Sequence, residues 1–199
     1  MSNPHASILE MARRQGLLRP RDVEACGFSR MALSTLAQQG KLTRLCRGLY
    51  ALPNRPASEH STLAEVTSKH PKVLVCLLSA LQFHGLTTQT PFEVWVAIGN
   101  KARAPKIDYP PLRIVRFGGD SLTTGVEEHQ LDGVTVRVTS VAKTVADCFK
   151  YRNKIGLDVA LEALREAWNA KRVKMDDLWH CAQICRVGNV MRPYLEALT

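Results

Sequence analysis

Apolar residues recur at helical spacing along the start of the chain. Ile8, Leu9, Met11 and Ala12 form one stripe and predict a helix over about residues 6–15, closed by Gly16. Pro20, a residue favoured in a first helical turn, opens a second that runs through Val23 and Ala25 to Gly27. Ser29 is placed to cap a third helix from Arg30 to about Gln39, which Gly40 ends. The pattern then changes. Leu42–Leu45 and Leu49–Leu52 read as short apolar–polar strands around Arg47-Gly48, which predicts a hairpin whose tight turn places Gly48 at positive φ. Pro53-Asn54-Arg55-Pro56 extends neither a strand nor a long helix and reads as a linker.

Beyond the linker the pattern alternates. Ser58 is placed to cap a helix to about Lys69, ended by Pro71. Val73–Leu78 fits a strand or a helix start, and Ser79–His84 a short helix stopped by Gly85. Phe92–Ile98, Leu112–Phe117 and Val134–Val138 are strands by their β-branched, aromatic or alternating composition. The segments GNKARAPKIDYPP and GGDSLTTGVEEHQLDG between them read as loops. From Ser140, itself a cap, the chain is helical: VAKTVADCFKY, then Leu157–Ala170, Met175–Cys185 and Val187–Leu198. No segment repeats at a period of about 20–50 residues, which argues against a solenoid. The pattern predicts an α+β chain. A winged helix-turn-helix occupies residues 1–55, and an α/β domain with a small sheet and a helical C-terminal half occupies 58–199.

Charge bears on what the first part does. Residues 1–57 hold nine Lys or Arg against three acids, a net +6 of the chain's +9. On the third predicted helix, Leu33, Leu36 and Ala37 share one face, while Met31, Ser34, Thr35 and Gln38 share the opposite one, with Arg30 at the N-terminal lip. Short polar side chains facing base edges, with a cation beside them, are what a recognition helix needs. A solvated amphipathic helix reads the same way, so the helix alone does not decide. The hairpin does, because Lys41, Arg44 and Arg47 decorate it without an acid, as suits phosphate contact or insertion into a minor groove. The candidate DNA-binding residues are therefore Arg30, Met31, Ser34, Thr35, Gln38, Lys41, Arg44 and Arg47. The loop bearing Lys101, Arg103 and Lys106, with Arg113 just beyond and Asp108 opposed, is either a further DNA contact or a solvated basic loop.

Other classes are less well served. No apolar run reaches the length of a membrane span, and MSNPHASILEMARRQG lacks the order of a signal peptide, so the expectation is a cytoplasmic protein without a membrane partner. The six cysteines read as buried free thiols. Cys181 and Cys185 would share a helix face beside His180, but further ligands are not visible nearby, so no metal is expected. Neither a GxxxxGK[ST] loop nor a GxGxxG motif occurs, and no candidate strand carries paired carboxylates for two metals. His84 and His129 lack a nucleophile partner and read as structural, and Glu127-Glu128 as a solvated loop pair. The expectation is a protein without catalytic residues or cofactor; a metal-dependent nuclease or nucleotidyltransferase is the lesser alternative.

Taken together, SRMALSTLAQQGKLTRLCRGLYALP, SVAKTVADCFKYRNKIGLDVALEALREAW and VGNVMRPYLEAL resemble the AbiEi family of antitoxins. In that family a winged-helix domain ending in an Arg-x-x-Arg-Gly-x-Tyr wing precedes an α/β domain. The resemblance implies a repressor of a type IV toxin–antitoxin (abortive infection, phage defence) operon, binding double-stranded DNA at inverted repeats in its own promoter. Its functional partner would be a nucleotidyltransferase-like toxin, AbiEii, neutralised without need of a stable complex, with direct contact as the alternative. Carried onto this chain, the wing residues are Arg44, Arg47, Gly48 and Tyr50; the arginines touch DNA, Gly48 supplies the turn, and Tyr50 anchors the wing to the core.

Overall fold

A computed structural model describes residues 4–46, 48–54, 60–107 and 109–198. The chain divides into two compact units, Met1–Ser68 with Gln130–Thr135, and Lys69–His129 with Val136–Thr199. Arg47, Arg55, Ser58 and Asp108 lie outside the described residues.

The first unit runs α1 (Pro4–Gln15), β1 (Leu17–Leu18), α2 (Pro20–Ala25), α3 (Met31–Gln38), β2 (Thr43–Cys46), β3 (Leu49–Ala51) and α4 (Ser61–Lys69). Each break has a local cause. Gly16 stops α1 at a φ of +77°. Before α2, the Asp22 carboxylate accepts from the Arg19 backbone N–H at 2.9 Å and from its guanidinium at 2.8 and 3.2 Å, so the cap is also an ion pair. Ser29 Oγ accepts from the Met31 N–H at 3.2 Å, but the N-cap of α3 is Arg30, without a side-chain cap bond, rather than the expected Ser29. At the far end, Gly40 N–H bonds the Ala37 carbonyl and Lys41 N–H the Leu36 carbonyl, a Schellman closure that needs Gly40 at its φ of +71°.

The three strands form an antiparallel sheet in the order β1-β3-β2. Strand β1 was not among the expected elements: two residues give no periodicity to read. Ile8, Ala12, Leu18, Val23, Leu33, Leu36, Leu42 and Tyr50 make the core of this unit. A register shift between Arg44 and Cys46 bends β2, and Leu45 beside it is exposed rather than packed.

The second unit is built on a five-stranded mixed sheet, order β6-β5-β4-β8-β7, of which the β7–β8 hairpin end, Gln130–Thr135, is grouped with the first unit. Its strands are β4 (Leu74–Val75), β5 (Val94–Gly99), β6 (Leu112–Phe117), β7 (Val126–Leu131) and β8 (Val134–Thr139). β4 pairs antiparallel to β5 and parallel to β8, and β5 pairs parallel to β6. The helices are α5 (Leu77–Phe83), α6 (Val141–Lys150), α7 (Arg152–Ile155), α8 (Leu157–Asn169), α9 (Met175–Ile184) and α10 (Gly188–Glu196), with a 3₁₀ turn at Gly119–Leu122. The segment expected as a loop around Glu127-Glu128 is instead strand β7. It is joined to β8 through Asp132-Gly133, both at positive φ (+51° and +74°), as a two-residue hairpin turn requires.

Helix α6, capped by Ser140, is buried along nearly its whole length. At its centre Lys143 and Asp147, both fully buried, pair with Nζ 2.6 Å from each carboxylate oxygen. Lys143 Nζ also lies 4.5 Å from the Phe117 ring centroid, and the Cys185 thiol donates to Asp147 Oδ1 at 3.2 Å. Burial together with the Asp147 charge pushes the Cys185 pKa up to about 12, which keeps it a donor. Burial likewise lifts Cys181 to about 11, and raises Cys76 and Cys148. These are unreactive thiols. Cys26 departs from the expectation of burial: it is exposed, in the turn after α2.

Candidate nucleic-acid interface

The polar face expected on the third helix is present on α3. Leu33 and Leu36 are fully buried and Ala37 is half-buried, so the opposite side turns outward. Met31 is 74% exposed there, and Ser34 and Gln38 are exposed with it. Thr35 is only half-exposed, and its hydroxyl donates back to the Met31 carbonyl at 3.2 Å. That bond occupies its donor and leaves its oxygen as an acceptor. Arg30 stands just before α3, with its side chain 74% exposed and Nε 3.9 Å from a Glu24 carboxylate oxygen. An exposed pair of that length is weak, and a phosphate can displace the carboxylate.

The hairpin is tied to α3 through Tyr50. Its ring belongs to the core of the first unit, and its hydroxyl lies 3.5 Å from Ser34 Oγ. Tyr50 thus anchors β3 from inside while its polar end reaches the helix face. Gly48 has a φ of +76°, the left-handed geometry the turn calls for. Lys41 and Arg44 are exposed on the segment that enters the hairpin, Arg44 standing opposite Tyr50 in the β2–β3 register. Arg47, expected at the turn, lies outside the described residues.

Charge separation within this unit is the feature that sequence reading understated. The three acids of residues 1–57 all sit on the first two helices, and each faces a nearby arginine. Glu10 meets Arg13 and Arg14, Asp22 meets Arg19 and Arg21, and Glu24 meets Arg30. From Ala25 to Ser58 the chain contains no carboxylate, so α3 and the hairpin form a stretch whose charge is wholly positive. A stretch of one sign with short polar side chains at its centre suits a polyanion, with the Glu24 carboxylate beside Arg30 at its edge.

Residues 7–53 match the family model described as "Transcriptional regulator, AbiEi antitoxin". The matched segment begins within α1 and runs through β3. No curated protein matches the chain. Among solved structures, the chain is similar to the RV2827C protein from Mycobacterium tuberculosis, with a TM-score of 0.55 and 15% identity, over 100% of this chain and 82% of that one. At that identity the likeness speaks for the fold. It spans more than residues 7–53, so the second unit too follows a fold seen in another protein.

Elsewhere the sequence-marked residues serve structure. His84 is buried, its Nε2 is 2.7 Å from the Thr139 carbonyl oxygen, and its own carbonyl accepts from Arg172. His129 contacts Glu127 at 3.1 Å and the Phe83 ring. Arg113, read with the basic loop, lies on β6 and is paired with Glu93 at 3.0 Å. His180 is exposed while Cys181 and Cys185 are buried, and no metal-ligand cluster forms among the described residues. No described helix is long and apolar enough to cross a membrane.

Proposed function

We propose that the chain is a sequence-specific repressor that binds double-stranded DNA through a winged helix-turn-helix at residues 1–55, and acts as the antitoxin of a toxin–antitoxin operon. The observation that carries this reading is the carboxylate-free stretch of α3 and its hairpin, lying within the segment that matches the AbiEi regulators. Met31, Ser34, Thr35 and Gln38 would face base edges in the major groove, with Arg30 at the lip. Lys41, Arg44 and Arg47 would hold the flanking phosphates, which fixes register without reading sequence.

On this reading residues 58–199 serve the antitoxin role without catalysis, and the toxin is a nucleotidyltransferase-like protein from the same operon. The test is nuclease protection of the chain's own upstream promoter. Protection of two inverted half-sites is the expected result. Uniform protection of unrelated DNA, or none, contradicts the proposal. Co-purification with the neighbouring product would instead favour neutralisation by direct contact.

A further inference from the structure

A second concentration of positive charge lies wholly within the second unit. A cleft of about 660 Å³ opens between the turn before β4, the end of β5 with its following loop, and β8. Four cations line it from separate stretches of chain: Lys69 and Lys72 before β4, Arg103 after β5, and Arg137 on β8. No described carboxylate lines it with them. Lys69 gives one Nζ–H to the Tyr109 carbonyl at 3.3 Å, which leaves two donors. Like charges gathered in one recess repel each other until an anion enters.

The floor differs from the rim. It includes Ile98, which is buried, and Leu122, which is half-buried. A volume in the range of about 300–1,000 Å³, apolar below and cationic above, is that of a small-molecule site. A duplex backbone is convex and keeps its flat apolar base faces stacked inside, away from such a floor. We propose that this cleft binds a small phosphate-bearing molecule of the mononucleotide class, with the phosphate among Lys69, Lys72, Arg103 and Arg137 and the base over Ile98 and Leu122. The proposal is independent of the DNA reading, because it uses no residue of the α3 face or the hairpin.

Isothermal titration of the full chain tests it, with AMP, UMP, adenosine and inorganic phosphate as separate probes. The expected result is that a nucleotide binds, and that adenosine and inorganic phosphate each bind at least about tenfold more weakly, since each lacks one half of the recognition. Arg137→Gln and Lys72→Gln should each weaken the nucleotide about tenfold, as loss of a charged hydrogen bond does, without lowering the unfolding midpoint of the free protein. Lys72 is exposed, so its variant carries the test if Arg137→Gln fails to fold. Three results overturn the proposal. One is no binding of either nucleotide. Another is inorganic phosphate binding as tightly as AMP, which leaves the floor without a role. The third is weakened duplex-DNA binding in the two variants with no nucleotide bound, which assigns the cleft to the DNA backbone.

Discussion

At the scale of single residues, exposure and hydrogen-bond state sort the α3 face into different roles. Ser34 and Gln38 are exposed and able to meet base edges, whereas the Thr35 hydroxyl is already donating to the Met31 carbonyl. Ser34→Ala or Gln38→Ala should therefore relax base preference, by about 1–3 kcal/mol where a good contact is lost, measured by competition among operator variants. An equal loss on all sequences would place these side chains on the backbone instead. His84 supports a prediction of another kind. Burial lowers its pKa below the ordinary 6.5, so the folded state resists protonation that the unfolded chain accepts. Its contribution is complete above pH 6.5 and is lost as pH falls from there through the lowered folded-state value. Urea unfolding between about pH 8 and about pH 5.5 should show a shallower acid loss in His84→Gln than in the unaltered protein; identical pH profiles would remove His84 as the cause. The outward face of α3 and a structural His84 were legible in the sequence; the back-bond of Thr35 and the burial of His84 were not. A histidine in sequence carries no sign of its cover, and neither do Lys143 and Asp147, four apart on a helix that the fold encloses.

Among elements, what was legible followed from periodicity and punctuation. α2 and α3 were readable because Leu33 and Leu36 recur at helical spacing and Pro20, Ser29 and Gly40 mark the ends. The hairpin was readable because Gly48 sits where a two-residue turn needs positive φ. β1 was too short to leave a pattern, and β7, with the sequence VEEHQL, lacks the apolar alternation by which a strand is recognised. The Asp132-Gly133 turn was the available signal for the second hairpin and went unread beside so polar a strand. The turn itself is open to test. A Cβ at Gly48 would meet nothing closer than Pro20 Cδ at 4.0 Å, so substitution there is a question of backbone alone. Gly48→Ala should cost about 1–2 kcal/mol of stability by denaturant unfolding, and Gly48→Asn distinctly less, because Asn tolerates the left-handed region. Equal costs would mean that the turn does not depend on that conformation.

For the whole molecule, the first unit was legible in outline, and the face of α3 with it. The basic cleft of the second unit was not, because its cations are brought together from residues 69–72, 103 and 137 only by the sheet. The family match and the fold likeness extend over different lengths, 7–53 for the first and the entire chain for the second. The central claim, that the α3 face and the hairpin bind DNA, therefore rests on the charge and geometry of the first unit. Its most direct test is the salt dependence of binding to the promoter, followed by fluorescence anisotropy for the full chain and for Arg44→Ala/Arg47→Ala. Each lost phosphate contact removes about 0.9 from the slope of log affinity against log salt, so the double variant should bind more weakly with a slope shallower by about two. Unchanged affinity and an unchanged slope in the double variant would contradict the account.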